Sequence, residues 1–155
     1  MKQKPAFSKP PILLSQIGVL YRTVRRNAGA LFREQDYPLD IDQMPVLLSA
    51  YYSGGVSQQA MGIALQRDKA SINRTVAFLV KTGYATVEPD QENKRKTVVR
   101  ATPEGIKIAR KADQIISEYS LALSAALSPE EQQQLHILLN KLIEAEKSTP
   151  IKFTI

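Results

Sequence analysis

The stretch 57–105 constrains the fold more than any other part of the chain. It contains two short amphipathic segments separated by a turn at Gln66-Arg67. Two runs rich in β-branched residues, 84–88 and 97–101, then enclose the polar loop PDQENKRK. Apolar residues at steps of three and four predict helices, whereas short β-branched runs predict strands. We therefore predict two short helices followed by a β-hairpin with a basic tip.

Capping residues predict where these two helices begin and end. Ser57 and Asp68 precede the two segments, and the side chains of Ser and Asp accept hydrogen bonds from the exposed N–H groups of a first turn. Gly83 follows the second segment, where glycine readily adopts the left-handed conformation that ends a helix. Two short helices joined by a tight turn are typical of a helix-turn-helix, in which the second is the recognition helix.

Helical periodicity also covers both flanks of this stretch. A stripe of Leu, Ile, Val and Ala predicts a helix of about six turns over 11–33. Asp42 is the expected cap of the next helix, and Thr102 caps a helix beyond the hairpin. Ser128 and Glu131 predict a capping box before the last helix. The predicted fold class is mainly α with a small β hairpin: a winged helix-turn-helix lobe plus terminal helices.

The same periodicity predicts which face of each helix is buried. We expect the recognition helix to bury Ile72, Val76, Leu79 and Val80. We expect the helix after the hairpin to run through the apolar positions Ile106, Ala109, Ala112, Ile116, Tyr119 and Leu123.

The composition limits the classes of function. A net charge of +6 and a pI near 9.6 favour an anionic partner, which is nucleic acid, an acidic protein or a lipid surface. The chain has no cysteine, which excludes thiol nucleophiles, disulfides and thiolate metal ligands. His136 is the single histidine and is expected to be a packing or surface residue rather than a zinc ligand. We find no catalytic or nucleotide-binding motif, and expect neither an enzyme nor a cofactor.

Membrane insertion is not expected either. No apolar run approaches the roughly 18 residues that a membrane helix needs. The basic N-terminal segment is interrupted by prolines, which is not typical of a signal peptide. The sequence therefore predicts a cytoplasmic protein without a membrane partner.

Polar and cationic side chains cluster at the start of the recognition helix. This set comprises Lys69, Ser71, Asn73 and Arg74. Asn side chains pair with adenine, and Arg side chains with guanine or phosphate, in the major groove. Ser57 and Arg67 are expected to lie near phosphates. The alternative is a solvated polar face with no partner.

The hairpin tip carries a second cationic cluster, Lys94, Arg95 and Lys96. A cationic finger suits a narrow minor groove, where the negative potential is enhanced. The alternative is a solubilising charged turn, which Asp90 and Glu92 favour because they partly neutralise the loop. Next to a helix-turn-helix, the DNA-binding interpretation is favoured.

The terminal helices carry apolar stripes that a small domain does not fully cover. Leu13, Ile17 and Leu20 represent the first helix, and the last helix is represented by Leu135, Leu139 and Leu142. One interpretation is a helix pair within the chain, and the other is a homodimer interface. A dimer would place two recognition helices about 34–36 Å apart, as a symmetric DNA site requires.

Residues 42–105 resemble the MarR-type winged-helix transcriptional regulators. The resemblance rests on Leu65, the segment Asp68–Arg74 (DKASINR), Leu79, Gly83, Asp90, Arg95 and the run Thr102-Pro103-Glu104-Gly105. With the flanking helices it extends over nearly the whole chain.

The resemblance implies a homodimer that binds double-stranded DNA at a pseudo-palindromic operator. Members of this family are often repressors released by small aromatic or phenolic ligands, or by oxidation, which the absence of cysteine excludes here. Arg74 matches the family's recognition-helix arginine and Arg95 its wing arginine. The family binds ligands between the DNA-binding lobe and the dimer helices. The candidate liners here are Arg22, Tyr51 and Tyr52, although tyrosines at such positions are more often packing residues.

The sequence departs from the family pattern in the hairpin. Asn93 stands where the family usually has an aspartate, so it offers no charge to orient Arg95. Thr86 and Val87 replace residues that are often basic, and Ala101 replaces a usual leucine.

These expectations define a domain organisation and a function. We expect a disordered basic arm over 1–10, a single domain over 11–147 and a tail over 148–155. The domain would contain a DNA-binding lobe at 42–102 and dimerisation helices at 11–33 and 103–147. The predicted function is a dimeric DNA-binding transcriptional repressor released by a small ligand. The alternative is a winged-helix module that docks an acidic protein without binding DNA.

Overall fold

The structure is a computed structural model that describes residues 13–148. In this part of the chain six helices and a two-stranded antiparallel sheet follow one another in the predicted order. They are α1 (Leu13–Glu34), α2 (Met44–Ser53), α3 (Gln58–Ala64), α4 (Lys69–Lys81), β1 (Ala85–Pro89), β2 (Thr97–Ala101), α5 (Pro103–Ser124) and α6 (Pro129–Ser148). The predicted fold class is therefore confirmed. The predicted arm, and the predicted tail beyond residue 148, lie outside the described residues.

The described residues form two compact units, 13–116 and 117–148, and the boundary falls within α5. The first unit contains the hydrophobic core. Leu47 on α2, Met61 on α3, and Ile72 and Leu79 on α4 are fully buried there. In the second unit, the described part of α6 has no buried residue.

The helix-turn-helix caps form as predicted. Ser57 Oγ accepts a hydrogen bond from the Ala60 backbone N–H at 3.2 Å, and the Asp68 carboxylate accepts one from the Ser71 N–H at 2.8 Å. The turn between the helices has Gln66 at a φ of 51°, and Gly83 ends α4 at a φ of 79°.

The predicted cap of α2 is wrong. Helix α2 begins after Gln43, and Asp40 rather than Asp42 organises its start. The Asp40 carboxylate accepts hydrogen bonds from the backbone N–H groups of Asp42 and Gln43, at 2.9 Å and 2.8 Å. The Asp42 carboxylate is not available for capping because it pairs with Arg25 on α1 at 2.7 Å.

The predicted buried face of α4 is partly wrong, and on α5 the buried residues coincide only in part with the apolar positions of the sequence pattern. Val80 is 42% exposed and Ile116 is 37% exposed, whereas Ile115 is 2% exposed. On α5 the buried positions Ala109 and Ala112 are three residues apart, and a further step of three reaches Ile115. Leu123 is exposed, and the other predicted positions on that helix, Ile106 and Tyr119, are half-buried.

The wing is a regular hairpin joined to the segment before α3. Its pairing runs from Ala85 opposite Ala101 to Pro89 opposite Thr97, so β1 begins one residue later than predicted. On the other edge of β2, Val56 and Val99 exchange backbone hydrogen bonds at 3.1 Å and 2.8 Å. This bridge fixes the base of the wing relative to the helix-turn-helix.

The helix starts after the wing also form as predicted. Thr102 Oγ1 accepts a hydrogen bond from the Gly105 N–H at 3.0 Å. The capping box is complete, because Ser128 N–H donates to the Glu131 carboxylate at 2.8 Å and Glu131 N–H donates to Ser128 Oγ at 3.3 Å.

The buried face of α5 can be tested with two isoleucines that are adjacent in sequence. We expect Ile115→Ala to lower the free energy of unfolding by roughly 2–5 kcal/mol, because it empties a buried site. Ile116→Ala removes the same atoms from a partly exposed position and serves as the matched control, with a clearly smaller loss. Urea denaturation of both variants at one protein concentration measures the difference. Equal losses would contradict this assignment of the buried face.

Candidate nucleic-acid interface

The exposed face of α4 presents three of the predicted contact residues. Lys69, Asn73 and Arg74 are exposed, while Ile72 and Val76 face the core. Lys69 and Asn73, one helical turn apart, border a groove of about 290 Å³ together with Gln58, Gln59, Gly62, Ile63 and Arg67. The start of α4 and its exposed Lys69 thus lie beside the first helix of the motif.

The groove contains two residues that the sequence interpretation missed. Gln58 and Gln59 occupy the first turn of α3, and their amides can both donate and accept hydrogen bonds. Gln58 Oε1 is buried and has no hydrogen-bond partner among the described residues. The sequence signal was present, because both residues directly follow the Ser57 cap.

Arg67 and Ser71 are bound to each other. The Arg67 guanidinium donates to Ser71 Oγ through Nη2 at 2.6 Å and through Nε at 3.2 Å. Its Nη1 donates to the backbone oxygen of Asp42 at 2.5 Å. These bonds connect the start of α4 to the segment before α2. Both residues are half-buried, so their main observed role is to position α4.

Asp42 connects this arrangement to α1. Its carboxylate accepts a hydrogen bond from Arg25 Nη2 at 2.7 Å while its backbone oxygen accepts from Arg67. The Arg25 guanidinium lowers the pKa of the Asp42 carboxyl, and Asp42 raises the pKa of Arg25. Both charges are therefore present at neutral pH, and one residue joins α1 to the turn before the recognition helix.

The N-terminal cap of α4 is also charged. The Ser71 backbone N–H, donated to the Asp68 carboxylate, lowers the pKa of that group. A negative cap opposes an incoming phosphate at that point, but it satisfies the helix N-terminus and stabilises its position.

The wing tip is held by hydrogen bonds from its backbone N–H groups to two side chains. The Asp90 carboxylate accepts from the N–H groups of Asn93 and Glu92, both at 2.8 Å, and these bonds lower the pKa of Asp90. Asn93 Oδ1 in turn accepts from the Arg95 backbone N–H at 3.1 Å. Asn93 therefore orders the backbone of the tip, and the side chains of Lys94, Arg95 and Lys96 are exposed.

Arg100 on β2 is a further positioning residue that the sequence did not indicate. Its guanidinium donates to the backbone oxygen of Gly54 and lies 3.5 Å from the Glu88 carboxylate. Gly55 has a φ of 143°, and a Cβ at this position would lie 2.8 Å from the Arg100 guanidinium carbon. The Gly54-Gly55 turn follows the end of α2 and leaves room for this contact.

The structure does not group the three candidate ligand residues into one described cavity. Arg22 borders a surface depression with other residues of α1 and Ile41. Tyr51 packs against the core, and its ring centroid lies 5.1 Å from that of Tyr52. Tyr52 donates from its hydroxyl to the Asp113 carboxylate, which raises the pKa of Tyr52.

The predicted dimerisation residues are all exposed apolar side chains. On α1, Leu13, Ile17 and Leu20 are between 42% and 55% exposed. On α6, Leu135, Leu139 and Leu142 are each 43% or 44% exposed. Apolar side chains repeated at this spacing on α6, where no residue described for burial is buried, favour a partner surface.

Two further features are the single histidine and the apolar character of the helices. His136 is exposed and lies 3.0 Å from the Asn140 amide, and residues 13–148 hold no cluster of His, Cys, Asp and Glu able to bind a metal. Within the same range, none of the helices has the length and apolar character needed to cross a bilayer.

Part of this chain is similar in sequence to known proteins. The MarR family model matches residues 39–97, from just before α2 to the first residue of β2. A Thauera aromatica protein proposed to regulate transcription of the hcr operon is 28% identical over 96 residues, which are 62% of this chain. The match spans 58% of that relative's own length.

Solved structures extend the likeness to the terminal helices. A MarR/EmrR family regulator from Acinetobacter sp. ADP1 has a TM-score of 0.77 and 24% identity, covering 88% of this chain and 95% of that one. A mutant of E. coli MarR complexed with operator DNA has a TM-score of 0.68 and 23% identity, covering 84% and 98%. At these identities the likeness shows the fold.

The order of the wing tip should depend on Asp90. Asp90→Ala removes both hydrogen bonds to the tip, and we expect the order parameters of the Glu92 and Asn93 amides to fall below about 0.6. Asp90→Asn retains an accepting oxygen and is the control. Because the folded pKa of Asp90 is lowered, its contribution is complete above the ordinary carboxyl range and is lost only as the pH falls through that lowered value. Rigid amides in Asp90→Ala, measured by ¹⁵N relaxation, would contradict this role.

Proposed function

The chain belongs to the MarR family of DNA-binding winged-helix transcriptional regulators, and on that basis we propose that it acts as a homodimeric repressor of a pseudo-palindromic operator. The observation that carries this proposal is the exposure of two cationic surfaces, one formed by Lys69, Asn73 and Arg74 on the recognition helix and the other by Lys94, Arg95 and Lys96 at the wing tip. Membership of this family also agrees with the expectation that the chain is not an enzyme.

The recognition helix and the wing tip would make two different classes of DNA contact. Asn73 and Arg74 extend from the first two turns of α4, where recognition helices contact base edges in the major groove. Lys94, Arg95 and Lys96 would place positive charge in the minor groove and on its phosphates. Arg67 and Ser71 would set the depth and angle of α4, and Ser57 would contact phosphate with the hydroxyl hydrogen that capping leaves available.

Dimerisation would supply the second half of the interface. A single recognition helix contacts only a few base pairs, so a symmetric operator needs two. The exposed apolar side chains of α1 and α6 favour a second copy of this chain as the partner. A mutant of E. coli MarR has been solved in complex with operator DNA, which supports the proposed class of target.

Release by a small aromatic or phenolic ligand completes the proposal and rests on the family resemblance. Arg22, Tyr51 and Tyr52 remain the candidate ligand residues. Of the pockets described, one is bordered by Arg22 and none is bordered by Tyr51 or Tyr52.

The second candidate function is a module that docks an acidic protein. The overall charge of +6 is compatible with it. Retention on heparin or on nonspecific duplex DNA near physiological salt would favour DNA, and no retention would favour an acidic protein partner. The two candidates are thus separable with purified protein.

The role of the wing can be measured with one substitution. We expect Arg95→Ala to weaken binding to an operator selected from randomised duplexes by roughly 1–3 kcal/mol, because this cation can no longer bind the DNA. Arg110→Ala, at an exposed position on α5, removes the same charge and is the control. Fluorescence anisotropy at fixed salt gives the two affinities. Wild-type affinity in Arg95→Ala would contradict the wing assignment.

The dimer interface can be tested with a charge on α6. We expect Leu139→Glu to shift the protein to monomers at micromolar concentration, because a carboxylate in an apolar interface is costly to desolvate. Glu146→Leu is the reciprocal control, at an exposed polar position of the same helix. Light scattering coupled to gel filtration measures the mass. A dimer of unchanged stability in Leu139→Glu would remove α6 from the interface.

A further inference from the structure

One cationic surface is used neither by the recognition helix nor by the wing. It consists of Arg22, Arg25, Arg26 and Arg33 on α1, and we name it the α1 arginine stripe. These four residues and Gly29 and Ile41 line a depression of about 360 Å³, and none of the six is acidic. Arg25, Arg26 and Arg33 follow Arg22 by three, four and eleven residues. Positions at these separations lie on the same side of a helix, so the four charges lie together.

Two of the four guanidinium groups are available to a ligand. Arg25 pairs with Asp42, and Arg26 Nε donates to the Asn27 side chain at 3.3 Å. For Arg22 and Arg33, residues 13–148 provide no side-chain hydrogen bond or ion pair.

Glycines let these two guanidinium groups lie close to the helix. A methyl group added at Gly18 would lie 3.2 Å from Nη1 of Arg22, and one added at Gly29 would lie 3.5 Å from Nη1 of Arg33. Both guanidinium groups therefore lie against the surface of α1.

The stripe lies next to the recognition helix. Arg25 and Arg67 bind two oxygens of the same residue, Asp42, at 2.7 Å and 2.5 Å. The two guanidinium groups are therefore within about 10 Å of each other. This upper limit adds the two hydrogen-bond lengths to the distance that one residue can span between its two oxygens. Arg67 in turn binds Ser71 in the first turn of α4. A DNA strand beside α4 would pass close to the stripe.

We propose that the α1 arginine stripe binds the phosphate backbone of duplex DNA at the edge of the groove that α4 enters. This inference rests on the proposed DNA-binding function and adds a third contact surface to it. Arg22 and Arg33 are eleven residues apart, which is about 16 Å along the helix. That length exceeds the width of a major groove, about 12 Å, and suits an extended polyanion better than a small one. Guanidinium groups also match phosphate oxygens in geometry.

The test uses the full-length protein and a fluorescein-labelled nonspecific duplex of about 30 base pairs, because backbone contacts do not require the operator sequence. Arg22→Gln/Arg33→Gln removes two charges from the stripe. Arg110→Gln/Lys141→Gln removes two charges from exposed positions on α5 and α6 and is the matched control. Gln retains side-chain length, and circular dichroism and gel filtration verify fold and dimerisation of both variants.

The expected result is a loss of affinity confined to the stripe variant and a flatter salt dependence. Each arginine that no longer binds a phosphate lowers the slope of log K against log salt by about 0.9. If both arginines bind phosphate, the factor by which affinity falls between roughly 50 and 200 mM salt is about tenfold smaller in the variant than in the wild type. Arg22→Glu/Arg33→Glu should bind more weakly than the glutamine variant.

Other outcomes would overturn the inference. Equal affinities in the stripe and control variants would show that the stripe does not contact DNA. Weaker binding with an unchanged salt slope would show that the arginines act on structure rather than on phosphate. If wild-type protein fails to bind the duplex even at low salt, the proposed DNA-binding function itself is contradicted. If the stripe variant binds normally but Arg95→Ala does not, only this inference is wrong.

Discussion

The hydrogen bonds of the Arg67 guanidinium to Ser71 and to the backbone oxygen of Asp42 determine the orientation of the recognition helix. Arg67 follows a residue with positive φ in the turn, and its side chain joins Ser71 on α4 to the backbone of Asp42. The core below this contact fixes α4 laterally through Ile72 and Leu79, which are fully buried. Packing and hydrogen bonding together leave the exposed residues of α4 with one orientation, which is the requirement for reading a DNA groove.

The wing is positioned by a separate set of contacts. The Val56–Val99 bridge and Arg100 connect β2 to the segment between α2 and α3. Asp90 and Asn93 order the tip without using the Arg95 side chain. The replacement of the family's usual aspartate by Asn93 therefore changes what orients Arg95 more than it changes the backbone of the tip. An affinity that depends on the wing would then come from charge rather than from a fixed arginine geometry.

Local signals explain what could be predicted from the sequence. Ser57, Asp68 and the Ser128–Glu131 pair act within three residues of themselves, so their capping roles were predictable. Asp42 was assigned wrongly because Asp40 binds the N–H groups just before α2, and Arg25 attracts the Asp42 carboxylate from another helix. Ile115 was missed because steps of three and four are equally allowed on a helix, and only packing decides between them. The Arg67–Ser71 contact depends on tertiary proximity to Asp42, which sequence spacing does not reveal.

The central claim is that two copies of the α4-and-wing surface engage one duplex symmetrically. Hydroxyl-radical footprinting of the wild-type protein on its selected operator tests this most directly. The account predicts two protected backbone segments related by a two-fold axis, with centres about 10 base pairs or a multiple of that apart. A single protected segment, or none at protein concentrations that saturate binding, would contradict it.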